Sequence, residues 1–132
     1  EIPDEDKAMM YGEKDAEIAI IGWGSTKGVV LDVMEKLAEE GIRTKFVQVR
    51  LLNPFPADLV KSMIGNAKVV VDIEMNYTSQ LGALVKQHTG IEPGHLVVKY
   101  NGRPMSLEEV YNAVKRITSG KAPRRQVLKN GT

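Results

Sequence analysis

Short, β-branched apolar runs alternate along this chain with stretches whose apolar residues recur at helical spacing, and no other feature constrains the fold as strongly. Runs of that kind are what parallel strands look like when helices cover both faces of a sheet. Ala16 to Gly24 (AEIAIIGWG) is closed by glycines and reads as a central strand. Val29, Val30, Val33, Met34, Leu37 and Ala38 then follow a helical period, with Thr26 placed to cap the start and Gly41 where a left-handed residue ends a helix. Arg43 to Arg50 alternates and reads as a second strand. Asn53-Pro54-Phe55-Pro56 imposes an extended turn, because a residue before proline is driven out of the helical region. Pro56 is suited to open a short helix that ends near Gly65.

The pattern then repeats. Lys68 to Ile73 (KVVVDI) is rich in Val and is expected to be buried on both faces, and the polar residues Glu74 and Asn76 come at its end. Ser79 can cap a helix carrying Leu81, Leu84, Val85 and His88, which Gly90 stops. His95 to Tyr100 gives a last strand and Asn101-Gly102 a turn. Ser106 with Glu109 forms a capping box ahead of Val110, Tyr111, Val114 and Ile117. Outside these units lie residues 1–14, with the apolar stretch Ala8-Met9-Met10-Tyr11, and a polar tail after Gly120 read as partly disordered.

A chain of 132 residues makes one domain able to bury about two thirds of its unfolded surface. It has no cysteine, which excludes disulfides and cysteine-ligated zinc or iron-sulfur clusters on this chain and points to the reducing cytoplasm. No apolar run approaches the roughly 18 residues of a membrane span, and no signal peptide is visible. The first residue is Glu1 rather than Met, which leads us to expect a longer polypeptide, with 1–6 as a linker from an upstream domain. Charge is uneven: residues 1–17 hold seven acids against Lys7 and Lys14, whereas Lys115, Arg116, Lys121, Arg124, Arg125 and Lys129 have no acid among them. Without interleaved aromatics for base stacking, the basic end reads as a solvated or subunit-facing tail, not a nucleic-acid site.

Several groups have the residue types that chemistry needs. The loop GWGSTKG (Gly22–Gly28) follows a strand and opens a helix, the context of a phosphate-binding turn. Its spacing is G-x-G-x-x-x-G, and the following strand ends in Gln48 and Arg50 where a dinucleotide site wants an acid. A tight turn that packs Trp23 against a neighbouring domain is the favoured reading, with nucleotide binding as the alternative. Glu74 and Asn76 lie two apart at a strand end, where a carboxylate suits general-base work or holding a helix N-terminus. Asp72, two residues earlier, lies inside an apolar run, and no second catalytic carboxylate is evident. His88 and His95 read as solvated or capping residues, and no metal-ligand spacing occurs. Arg103 follows a tight turn at the same edge and is suited to an anion. No nucleophile elbow surrounds Ser25 or Ser79.

Four segments in order, IIGWGSTKG (Ile20–Gly28), GIRTKFVQVRLLNPFP (Gly41–Pro56), VVVDIEMNYTSQL (Val69–Leu81) and KYNGRPMSLEEV (Lys99–Val110), resemble the C-terminal domain of the alpha subunit of 2-oxoacid:ferredoxin oxidoreductases. The resemblance covers about residues 7–117, and it departs at Ser79, where the family usually has Gly. It implies a transketolase C-terminal-like α/β fold: a three-layer α/β/α sandwich around a five-stranded, mostly parallel sheet whose first edge strand, Lys7 to Tyr11, runs antiparallel. The domain would then be 7–118 and the basic tail 119–132. The implied activity is oxidative decarboxylation of a 2-oxoacid to acyl-coenzyme A with reduction of ferredoxin. Thiamine diphosphate, magnesium and iron-sulfur clusters would sit on other domains and subunits, with no catalytic or metal-binding residue here. The implied partners are the upstream thiamine-enzyme domains, a beta subunit and ferredoxin, within an oligomer. Trp23, Gly24, Ser25, Glu74, Asn76 and Arg103 are the candidate interdomain or ligand-edge residues. Another transketolase-type thiamine enzyme, such as a dehydrogenase beta subunit, shares the implied fold, but the NYTSQL and NGRP elements argue against it.

Overall fold

A computed structural model of the chain describes residues 2–23, 26–75, 80–99 and 103–128. Six strands, β1 (Ala8–Gly12), β2 (Ile18–Gly22), β3 (Thr44–Val49), β4 (Val69–Glu74), β5 (His95–Val98) and β6 (Arg125–Val127), form one sheet in the order β1-β3-β2-β4-β5-β6. Four helices connect them: α1 (Lys27–Glu39), α2 (Ala57–Ile64), α3 (Gln80–Thr89) and α4 (Leu107–Thr118). All neighbouring strands are parallel except β1, which runs antiparallel to β3 from Ala8 opposite Val49 to Gly12 opposite Lys45.

The alternation of side chains across the strands builds two apolar layers. On one face Ile20, Phe46, Val71, Ile73 and Val97 pack under α1 and α4. On the other Ala19, Ile21, Val47 and Val70 pack under α2 and α3 through Val60, Ile64, Leu81 and Val85. All six residues of β3 are buried, Lys45 and Gln48 included, so this strand is covered on both faces although its sequence alternates. The α/β/α sandwich with an antiparallel edge strand is as the sequence led us to expect.

Three local differences have physical causes. The segment after Gly120 supplies a sixth strand: Arg125 to Val127 pair with Leu96 to Val98. Because α4 lies on the same face as α1, the β5-α4-β6 crossover is opposite in hand to the three before it, an arrangement that parallel units rarely adopt. The basic end is also pinned down: Lys115 bonds Glu40 at 2.9 Å, Arg116 bonds Gln126 at 2.8 Å and Arg124 bonds Glu92 at 3.1 Å. Thr26 precedes α1 but makes no side-chain cap; its hydroxyl donates backwards to the Trp23 carbonyl at 3.4 Å. Gly41 and Gly90 take positive φ after α1 and α3, as expected, and Pro56 stands just before α2, which begins at Ala57.

Candidate functional site

β2 and β4 are adjacent in the sheet, yet the chain leaves β2 for α1 on one face and leaves β4 for α3 on the other. Such a divergence at the carboxyl ends of parallel strands is the switch point where open α/β sheets form a crevice. Trp23 and Met75 stand there just beyond the ends of these adjacent strands, 36% and 38% exposed. Two more residues at this edge, Glu74 and Lys99, are charged and buried.

Each of these buried charges ties the end of its strand to the start of the next helix. Glu74 is the last residue of β4; its Oε1 accepts the Leu81 N–H at 3.0 Å and its Oε2 the Gly82 N–H at 3.2 Å. These are donors of the first turn of α3, which lack partners inside the helix and carry its positive end. Lys99, the residue after β5, donates to the Pro104 carbonyl at 3.0 Å and to Glu109 Oε2 at 2.5 Å. Glu109 in turn accepts the Ser106 N–H at 2.8 Å while its own N–H donates to the Ser106 hydroxyl at 3.2 Å. The capping box read from the sequence is therefore present, and a buried cation completes it.

Asp72 is the residue whose role sequence reasoning missed. It is fully buried, on the same face of β4 as Glu74 and two residues before it, and it points under α3. Burial above all, and next the Glu74 carboxylate beside it, push its carboxyl up to about 10. Neither of its oxygens has a hydrogen-bond partner of good geometry among the described residues, and the nearby Gly82 N–H opposes that rise only in part. The signal in the sequence was the two-residue spacing, but in a strand buried on both faces that spacing does not say what lies opposite.

Of the sequence-predicted edge residues, Trp23, Glu74 and Arg103 fall on this carboxyl edge, with Arg103 exposed between Lys99 and Pro104. Gly24, Ser25 and Asn76 lie outside the described residues, as do the Ser79 cap and the Asn101-Gly102 turn. Glu74 holds a helix N-terminus, one of the two uses foreseen for it, and the helix is the chain's own α3. His88 is exposed and stacks on Phe55 with ring centroids 5.1 Å apart. His95 differs from expectation: it is half-buried at the start of β5, and its Nδ1 is buried without a hydrogen-bond partner among the described residues. No group of three His, Cys, Asp or Glu side chains that could hold a metal ion occurs among the described residues, and no helix there is long and apolar enough to cross a membrane.

This combination of a mostly parallel sheet, an antiparallel edge strand and helices on both faces defines an α/β/α sandwich domain. The chain belongs to the family of pyruvate:ferredoxin oxidoreductase core domain II, whose model matches residues 16–110. It is 44% identical over 131 residues to the 2-oxoacid:ferredoxin oxidoreductase subunit alpha of Saccharolobus solfataricus, covering 99% of this chain and 21% of that protein. It is 47% identical over 116 residues to subunit alpha of 2-oxoacid:ferredoxin oxidoreductase 2 of Aeropyrum pernix, covering 88% of this chain and 18% of that protein. The chain thus spans about a fifth of the length of these curated relatives.

Among solved structures, it superposes with a TM-score of 0.75 and 33% identity on 2-oxoglutarate:ferredoxin oxidoreductase from Magnetococcus marinus, solved with 2-oxoglutarate, coenzyme A and succinyl-CoA bound. That match covers 83% of this chain and 19% of the other. The alpha chain of a probable 2-oxoacid ferredoxin oxidoreductase from Thermoplasma acidophilum matches with a TM-score of 0.61 and 41% identity, over 86% of this chain and 98% of that one.

Proposed function

We propose that this chain is the C-terminal domain of a 2-oxoacid:ferredoxin oxidoreductase alpha subunit, and that its switch-point edge faces the thiamine-binding domains of the assembled enzyme. The holoenzyme would decarboxylate a 2-oxoacid oxidatively, transfer the acyl group to coenzyme A and pass the electrons to ferredoxin in the cytoplasm. Family membership and the near-complete match of this chain to alpha subunits support that reading. The observation that carries the assignment of the edge is the set of internal ties there. Thr26, Glu74 and Lys99, each almost fully buried, close the connections after three neighbouring strands, while Trp23 and Met75 beside them stay exposed. A sheet edge stiffened in this way, with large apolar side chains partly exposed, suits a surface that another domain completes.

The described residues do not fit a thiamine diphosphate and magnesium site. No three metal-ligating side chains converge among them, and Glu74, Lys99 and Glu109 are bonded within the chain. With no cysteine, the chain cannot hold a cysteine-ligated iron-sulfur cluster either. The role proposed here is therefore assembly and one wall of the active-site surroundings, with the upstream domains and a beta subunit as partners. Boundaries of 1–6 for the linker, 7–118 for the domain and 119–132 for the basic tail go with this reading, the tail lending β6 to the sheet.

Glu74→Ala and Arg103→Ala in the complete enzyme test it. Turnover with 2-oxoacid, coenzyme A and ferredoxin is expected to fall, or the subunits to associate more weakly. Unchanged turnover together with unchanged subunit association would refute the assignment of this edge.

A further inference from the structure

Asp72 and Glu74 form the one arrangement in which two carboxyl groups meet inside the described core, and their surroundings fix how the charge is shared. Glu74 accepts the Leu81 and Gly82 N–H groups, so both its oxygens already face donors at the electropositive start of α3. Asp72 meets no cation among the described residues. From β4 the charged neighbour is Glu74, from β5 its ladder partner is Leu96, from β2 it is Ile21, and from α3 it meets the Gly82 backbone. Two carboxyl groups so placed can bond only if one keeps its proton, because ionised carboxylates are acceptors only. The packing is close enough to matter: a Cβ added at Gly82 would lie 2.6 Å from Asp72 Oδ2.

We propose that Asp72 is a positioning residue that works as a neutral acid, donating its proton to Glu74, so that one shared proton and one carboxylate together hold the start of α3 against the end of β4. The bonds from Leu81 and Gly82 to Glu74 fix both ends of the β4–α3 connection. Burial and the adjacent carboxylate are consistent with this, since each disfavours a second negative charge. Asp72 itself touches no proposed partner and acts through Glu74. The effect on turnover rests on the reading of this edge given under Proposed function; the shared proton does not.

The experiment is infrared difference spectroscopy and amide exchange on the chain and its Asp72→Asn and Asp72→Val variants, together with turnover of the complete enzyme. At neutral pH the parent is expected to show the carbonyl band of a protonated carboxyl, and Asp72→Asn to remove it. Asn keeps a donor toward Glu74, so Leu81 and Gly82 amides stay protected. Val lacks it, and those amides exchange at least about tenfold faster, the factor expected when a hydrogen bond to a charged group is lost.

Stability against pH is the second readout. The native carboxyl holds its proton up to about 10, whereas the unfolded one releases it at its ordinary value of 3.8. The contribution of this group is therefore complete below the lower value and drains away as pH rises toward the upper one. The melting temperature of Asp72→Asn is expected to gain on the parent through that window. Absence of the band at neutral pH, or identical amide exchange in the Asn and Val variants, overturns the proposal. If the band and exchange results hold but Asp72→Val leaves turnover intact, the shared proton stands and the assignment of the edge fails.

Discussion

Two buried glutamates at the same sheet edge are held in opposite ways. Glu109 is met by an ammonium, the Lys99 Nζ at 2.5 Å, and by the Ser106 N–H at 2.8 Å. Glu74 is met by two backbone N–H groups of α3 and, on its other side, by another acid. A charge removed from water must be compensated, but losing a cation and losing a contact with a helix terminus have different consequences. Without Lys99, Glu109 is a buried anion with one backbone donor. Without Glu74, two N–H groups lose their acceptor and the constraint on Asp72 is relieved. The ion pair is therefore the costlier to break, and the carboxyl pair is the one that protonation can adjust.

Three substitutions sharpen that contrast. Lys99→Met strands Glu109 and is expected to cost about 3–5 kcal/mol in denaturant unfolding, while adding Glu109→Gln to it recovers most of the loss, since the cost lies in the unpaired charge. If the double variant is no more stable than the single, the pair does not act as a unit and the comparison fails. Gly82→Ala tests the other clasp. On an open helix surface alanine gains roughly 1 kcal/mol over glycine. Here the new methyl meets Asp72, and a net loss of about 1–3 kcal/mol is expected by thermal unfolding. A stabilised Gly82→Ala would mean that the Asp72 carboxyl is free to move away. Smallest is Ser106→Ala, about 1 kcal/mol by thermal unfolding, because the Glu109 N–H loses its acceptor while Lys99 still holds the carboxylate.

The two clasps also differ in how far they could be read from the amino-acid sequence. Ser106 and Glu109 are three apart ahead of an apolar period, a local pattern that announces a capping box wherever it stands. Lys99 gave no such sign, because its partner is ten residues away along the chain. Glu74 was legible as a carboxylate at a strand end, but the helix it holds had to be folded over β4 before its role was defined. Asp72 was visible in the valine-rich run and its meaning was not, since a strand buried on both faces gives no hint of which residue faces which helix. The tail illustrates the same limit: Arg125-Gln126-Val127 is too short and too polar to stand out as a strand, and it becomes one only because the edge of β5 offers it a ladder.

The α/β class, the order of the strand and helix units, the left-handed ends at Gly41 and Gly90, the capping box and the resemblance that leads to the oxidoreductase family could all be read from the residues in order. Those are properties of local periodicity, of backbone freedom at single residues and of short contiguous segments. It took the folded sheet to show that β2 and β4 diverge at one edge, that Lys99 closes on Glu109, that β6 joins the sheet, and that Asp72 lies beside Glu74 beneath α3. Each of those joins groups whose proximity is set by strand order and helix placement, and burial then gives the meeting its energetic weight: it makes an unpaired charge costly and a shared proton favourable.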